Sequence, residues 1–257
     1  MKKTVENSEQ WDVCNRCGGA GWYKKPVTFD YPDFARLFPC ECTLSQQEQQ
    51  AAQQAQFRKQ ELLAHLDEEL GNLVHCHLGT FDVQRPLQAY DGRDEAAQRA
   101  MLEDVFIRVM EYTERLDGWL YLYGGYGSGK SHLAAAIAHI GIERGMSVSY
   151  ASVPQLIRFI NSGFADRSAD ARMEALQTVG MLVLDDIGTQ PNTEHNNTTL
   201  FELINARYLY QRITILTSNK AVTAHEGRIA SRIYGRAYII ELNVDDYRKY
   251  QTPGGLQ

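Results

Sequence analysis

The chain has 257 residues, 44% of them hydrophobic, five cysteines and a net charge of −6. That is long for one small domain and short for two large ones. The longest apolar runs, such as Met181 to Leu184, fall far below the roughly 20 residues of a membrane span, the basic start Met1-Lys2-Lys3 lacks the apolar stretch of a secretory signal, and the acidic balance excludes a protein whose whole surface is a DNA footprint while leaving room for a local basic groove.

A cytoplasmic protein with no membrane contact is therefore expected, and in that setting cysteines point to metal before disulfides. Cys14-x-x-Cys17 and Cys40-x-Cys42 are separated by a 22-residue stretch. Four thiolates can enclose one tetrahedral Zn²⁺, and the glycines after Cys17 suit a knuckle whose N–H groups face sulfur. The first 43 residues also carry Trp22, Tyr23, Phe29, Tyr31 and Phe38, but a segment this small cannot build a sufficient apolar core unaided. Structural zinc contributes about 10–16 kcal/mol in small modules and could fold it. A redox C-x-x-C is the rival reading, without the surrounding βαβ pattern that it needs. His75-Cys76-His77 lacks further ligands nearby, so Cys76 reads as a small buried residue.

From Ser45 to Leu70 no Pro or Gly interrupts the chain, and Gly71 follows as a stop, so a helix is expected. Its first half is almost wholly polar, a solvated connector; Leu62, Leu63, Leu66 and Leu70 give its second half a face to bury. The expected organisation is a zinc-binding adaptor over 1–45, a helical linker over 46–71 and a main domain over 72–257. Residues 72–95, punctuated by Gly79, Pro86 and Gly92, read as irregular. A helix over about Ala96 to Leu116 leads into a buried strand, Trp119 to Tyr123. Leu133, Ala134, Ile137 and Ile140 then recur at helical spacing up to a stop at Gly145. Further strands are expected at Ser147–Ala151, Met181–Leu184, Ile213–Thr217 and Ala237–Leu242, with helices from Val153-Pro154 and over Leu200–Tyr210. Strands alternating with helices predict a three-layer α/β/α domain around a mostly parallel sheet.

The chemistry concentrates where strands end. Gly124-Gly125-Tyr126-Gly127-Ser128-Gly129-Lys130-Ser131 fits G-x-x-x-x-G-K-[ST] between a strand and a helix, the context that the P-loop motif needs. Glycines let successive N–H groups curl around an anion, and the helix N-terminus adds unpaired donors. The nucleotide-binding stretch is taken as Gly124 to His132. Lys130 would reach the β- and γ-phosphates and Ser131 would ligate Mg²⁺. Asp185-Asp186 ends a buried strand as a Walker B pair does. The first carboxylate would hold Mg²⁺ and the second would polarise the attacking water. Asn219, after the next strand, can touch the γ-phosphate and that water. Arg228 and Arg232 stand four apart on one helix face, placed to meet a neighbouring subunit's phosphate. ATP, Mg²⁺ and hydrolysis follow as expectations.

The ordered set GGYGSGKS, MLVLDDIG, LINARYLY, ILTSN and GRIASRI resembles the AAA+ ATPases of the DnaC/DnaI helicase-loader and IstB transposition-helper group, over about Thr80 to Arg248. The resemblance implies a nucleotide held between subunits of a ring or spiral, with Arg232 completing the neighbour's site and Arg207 at the same interface. It implies no separate helical lid, with Arg248 as a doubtful substitute for a lid arginine. Phe81 falls where the adenine lies. A helical insertion over Val153 to Leu176, with Arg158, Phe159, Asn161, Ser162, Phe164 and Arg167, would line a single-stranded DNA groove; the competing reading puts both phenylalanines in the core. Zinc-bearing N-terminal domains occur in the DnaI branch, where they bind the replicative helicase. The implied function is loading of a hexameric replicative helicase onto single-stranded DNA, or, on the alternative, selection of target DNA for a transposase. Cys14 to Gly21 also matches one C-x-x-C-x-G-x-G repeat of DnaJ-like zinc domains, in a single copy and without their HPD tripeptide.

Overall fold

A computed structural model describes residues 14–24, 26, 37–164 and 167–250. Phe29, Tyr31 and the N-terminal stretch Met1-Lys2-Lys3 lie outside the described residues. The chain divides into two compact units, Met1–Arg58 and Lys59–Gln257.

In the first unit, β1 (Trp22–Lys24) and β2 (Leu37–Pro39) pair antiparallel with Trp22 opposite Pro39. The Cys40 amide donates to the Gly21 carbonyl at 2.9 Å, which closes the hairpin onto the cysteine turn. Helix α1 (Glu41–Leu70) follows at once and starts four residues before the expected Ser45. Its Leu66 and Leu70 belong to the second unit and are buried there, as the apolar spacing predicts.

The second unit holds α2 (Glu95–Arg115), β3 (Trp119–Tyr123), α3 (Lys130–Glu143), β4 (Val148–Ser152), α4 (Val153–Ser162), α5 (Ala169–Thr178), β5 (Met181–Asp185), α6 (Glu194–Leu209), β6 (Ile213–Ser218), α7 (Gly227–Arg236) and β7 (Ala237–Glu241). The five strands β3 to β7 form one parallel sheet in the order β4-β5-β6-β3-β7. Alternation along the strands splits the core in two. Leu120, Leu122, Val183 and Ile215 face a cluster with Val105, Val109, Leu133 and Ile137 of α2 and α3. Trp119, Tyr121, Leu182, Leu184 and Leu216 face the opposite cluster, with Ile157, Leu203, Ile204 and Ile233 of α4, α6 and α7. The expected three layers are present.

Two details matter for the site. The order places β6 between β3 and β5, so the loops after these three strands open side by side at one edge of the sheet. At the free edge of β4, the Glu69 carboxylate accepts from the Tyr150 amide at 2.6 Å and from the Ser149 hydroxyl at 2.8 Å, which covers part of the edge that β5 does not pair. Residues 72–95 are irregular as read, with short 3₁₀ turns at Gly71–Leu73 and Leu78–Thr80 and a Tyr90–Arg93 bridge.

Candidate nucleotide site and metal centre

The P-loop joins β3 to α3 through a backbone that only glycine permits at its ends. Gly124 has φ +146° and lies against the Leu242 carbonyl, so a Cβ there would enter backbone that cannot give way. Gly129 has φ +108°, and a Cβ on it would sit 2.7 Å from Cε2 of Phe81. Lys130 opens α3 almost fully buried, and its Nζ donates to the Gly125 carbonyl at 2.6 Å and the Gly124 carbonyl at 3.1 Å. Burial lowers its pKa, while the charges of Asp186 and Asp185 oppose that shift. Tyr126 stands exposed at the loop tip. The His132 imidazole turns to the His77 carbonyl (2.9 Å) and the Thr80 hydroxyl (3.2 Å).

The Walker B pair meets this loop. Ser131 Oγ donates to Asp185 Oδ1 at 2.9 Å, and Thr217 Oγ1 donates to the same oxygen at 2.5 Å. Thr217 Oγ1 also accepts from the Asp186 amide at 2.9 Å. One threonine therefore fixes both aspartates, a role that its place inside an apolar strand does not announce. Asp186 adopts φ 57°, and burial, then repulsion from Asp185, raises its pKa. Asn219 is half-buried directly after β6, between the loops that carry Lys130 and Asp186.

Four further residues support the loop from outside the motif. Arg85, only 3% exposed, donates to the Ser128 carbonyl at 2.7 Å and lies over the Tyr247 ring. The Tyr247 amide donates to the Gly127 carbonyl at 3.1 Å, and the Asp246 carboxylate packs on Gly127. Arg248 binds Asp246 at 3.0 Å, and its charge acts on both Lys130 and Asp186. The segment after β7 thus straps the P-loop, a long-range contact with no local sequence signal. Phe81 is buried beneath the loop, stacked on Phe106 and edge-on to His132.

The arginines divide. Arg232 donates to Asn205 Oδ1 at 3.1 and 2.9 Å and lies over the rings of Phe201 and Tyr208. Arg228 pairs with Glu226 and lies 4.4 Å over Phe201. Both remain on the α6–α7 surface. Arg207 does not: it is fully buried and donates to the carbonyls of Leu176, Val179 and Ile213 and to Thr214 Oγ1. The interface position expected for Arg207 is corrected to a core strut, because carbonyls left over where α5, α6 and β6 begin or end need a donor. Phe159 and Phe164 are 50% and 60% exposed, which removes the core reading for both. Arg172 lies over Phe159, and Arg158 and Arg167 are exposed nearby.

In the first unit, the sulfur atoms of Cys14, Cys17, Cys40 and Cys42 all lie within 4.8 Å of one another. Cys14–Cys40 and Cys17–Cys42 are 3.7 and 3.4 Å apart, close to the roughly 3.8 Å edge of a tetrahedron with zinc–sulfur bonds of about 2.3 Å. The Gly21 amide donates to Cys17 Sγ at 3.3 Å, and amides of Cys17 and Arg16 bring the Cys14 thiol down to about 6. This donor set fits zinc. Cys76 is half-buried against the main core and takes no part in it.

No helix among the described residues is long and apolar enough to cross a membrane. Comparison with known proteins places the chain among ATP-binding proteins of insertion sequences and helicase loaders. The chain is 30% identical over 142 residues to an insertion-sequence ATP-binding protein of Mycobacterium tuberculosis, covering 52% of this chain and 57% of that protein. It is 32% identical over 100 residues to the replicative helicase loader DnaI of Bacillus subtilis, covering 38% and 32%. The crystal structure of the DnaC helicase loader shares the fold with a TM-score of 0.55 at 17% identity, over 67% of this chain and 99% of that one. The chain thus spans little more than half the length of the insertion-sequence relative and a third of DnaI. Residues 42–251 match the family described as IstB-like ATP binding protein, and with the P-loop and Walker B pair in contact the chain belongs to that family of AAA+ P-loop proteins.

Proposed function

We propose that this protein hydrolyses ATP between adjoining copies of itself and uses the cycle to load a hexameric replicative helicase onto single-stranded DNA. The observation that carries the ATPase reading is the 2.9 Å bond between Ser131 and Asp185, beside the buried Lys130. A hydroxyl and a carboxylate so paired would serve as hard oxygen ligands of one Mg²⁺, whose role is to offset phosphate charge. Lys130 exchanges its bonds to the loop carbonyls for the β- and γ-phosphates. Asp186 and Asn219 orient the attacking water. Arg232, ordered by Asn205 and two rings, meets the γ-phosphate of the next subunit. Phe159 and Phe164, with Arg158 and Arg167 nearby, offer stacking and backbone contacts to a single strand.

The test is steady-state ATP turnover with nucleotide binding measured in parallel. Lys130→Ala is expected to lose nucleotide affinity and at least about a hundredfold in turnover. Equal turnover in the two proteins means that the site is assigned wrongly. The Cys₄ module supports the helicase as partner, since such modules serve helicase docking in the resembling DnaI branch. The 30% identity to an insertion-sequence ATP-binding protein favours a second reading, a helper that selects target DNA for a transposase. Capture of a DnaB-type helicase, against capture of a transposase, by the full chain with ATP separates the two.

A further inference from the structure

Behind the residues that face the nucleotide lies a polar knot, with Tyr121 and Ser218 buried and His225 half-buried, that the ATPase chemistry leaves unused. Tyr121, on β3, sends its hydroxyl to the Lys220 carbonyl at 2.6 Å and to His225 Nε2, also at 2.6 Å. A carbonyl oxygen cannot donate, so the Tyr121 proton goes to Lys220. His225 Nε2 must then carry a hydrogen and donate to the Tyr121 oxygen, which fixes the imidazole as the Nε2–H tautomer. Burial holds the Tyr121 phenol up at about 12, so it keeps the proton that this scheme assigns to it. Ser218 Oγ donates to the Ile187 carbonyl at 2.8 Å and accepts from the Lys220 amide at 3.1 Å. Lys220 Nζ donates to the Gly188 carbonyl at 3.0 Å, and the His225 ring packs on Gly188.

Three chemical elements meet in this knot. Ile187 and Gly188 directly follow Asp185 and Asp186. Ser218 and Lys220 flank Asn219 on both sides. His225 lies two residues before α7, the helix of Arg228 and Arg232. We propose that His225, through Tyr121, is a positioning residue that locks the Asn219 loop, the Walker B loop and the entry to α7 into one register, so that it governs hydrolysis and not nucleotide capture. This rests on the ATPase reading for its consequence but not for its geometry. The P-loop meets the knot through a backbone bond, from the Gly124 amide to the Ser218 carbonyl at 3.2 Å, which changes at the His225 and Tyr121 side chains leave in place, so binding is expected to be insensitive to them, while the water-orienting groups and the arginine helix depend on the knot.

The test compares His225→Phe, His225→Gln and Tyr121→Phe with wild type, reading the nucleotide dissociation constant and kcat separately. His225→Phe and Tyr121→Phe are each expected to keep the dissociation constant within about twofold and to lose about ten- to a hundredfold in kcat. His225→Gln, which restores a donor, recovers most of kcat, and the double variant His225→Phe/Tyr121→Phe is no worse than either single change. A kcat within twofold of wild type in both single variants overturns the proposal, as does affinity falling in step with kcat. Histidine ring ¹⁵N spectra of the wild-type protein give a check that needs no variant: His225 must show the Nε2–H tautomer, and a dominant Nδ1–H form overturns the scheme. Wild-type protein without turnover would defeat the ATPase reading while the spectrum still decided the bond.

Discussion

Asp186 carries the sharpest tension of any single residue. Burial raises its pKa and Asp185 raises it further, while Lys130 opposes both. If its carboxylate orients water, turnover falls on acidification at a pH above the ordinary carboxylate value of 3.8. Stability runs the other way. A carboxylate whose folded pKa lies above its unfolded one contributes stability when protonated, and that contribution is lost as pH rises through the folded value. At neutral pH the ionised Asp186 therefore costs stability. Asp186→Asn removes the charge and keeps a residue that tolerates φ 57°. It is expected to lose about a hundredfold or more in kcat and to melt higher than wild type; a lower melting temperature would show that the ionised group is not under the strain described. Thr217 is the complementary case, since its hydroxyl holds both aspartates. Thr217→Val keeps the shape and leaves Asp185 short of a donor, with an expected loss of about 1–3 kcal/mol of stability by denaturant melting.

At the scale of elements, Arg207 on α6 and Arg228 and Arg232 on α7 are arginines that the sequence presents alike and the fold treats differently. Arg207 fills a place among carbonyls where nothing else can donate. Arg207→Ala should cost about 3–5 kcal/mol and reduce folded yield, whereas Arg232→Ala should leave the melting curve within about 0.5 kcal/mol and remove turnover only in the assembled protein. Mixing Arg232→Ala with Lys130→Ala protein, and finding partial recovery of turnover, would tie Arg232 to the neighbour's site. The strands were legible because each is a short apolar run: Met181–Leu184 and Ile213–Thr217 fall within a residue of β5 and β6. The P-loop and the aspartates were legible because their spacing is local. Helix α6 begins at Glu194, six residues before the expected Leu200, because Thr193 caps a polar first turn that has no apolar period. Arg207 and the strap over Gly127 escaped because their partners lie far along the chain, and residue type alone does not separate a buried arginine from an exposed one.

For the molecule as a whole, the two units draw on different sources of stability. The second has a parallel sheet with apolar clusters on both faces. The first offers two paired strands of three residues each, on which Trp22 and Leu37 are 49% and 57% exposed, so among its described residues apolar burial contributes little. Its four sulfurs cluster within 4.8 Å of one another instead, and zinc at about 10–16 kcal/mol exceeds anything that such a strand pair buries. One zinc per chain is the expected content. Removal by a strong chelator, or Cys17→Ser, should abolish amide-exchange protection over residues 14–24 and 37–43 and leave ATP affinity of the second unit within about twofold, because that unit is compact in its own right. Loss of nucleotide binding together with zinc would show that the metal stabilises the ATPase fold as well. Capture of a replicative helicase should be lost with the metal if the module is the docking element, while the turnover of ATP persists. That separation, an intact motor that no longer finds its partner, is what distinguishes an adaptor from a second catalytic centre.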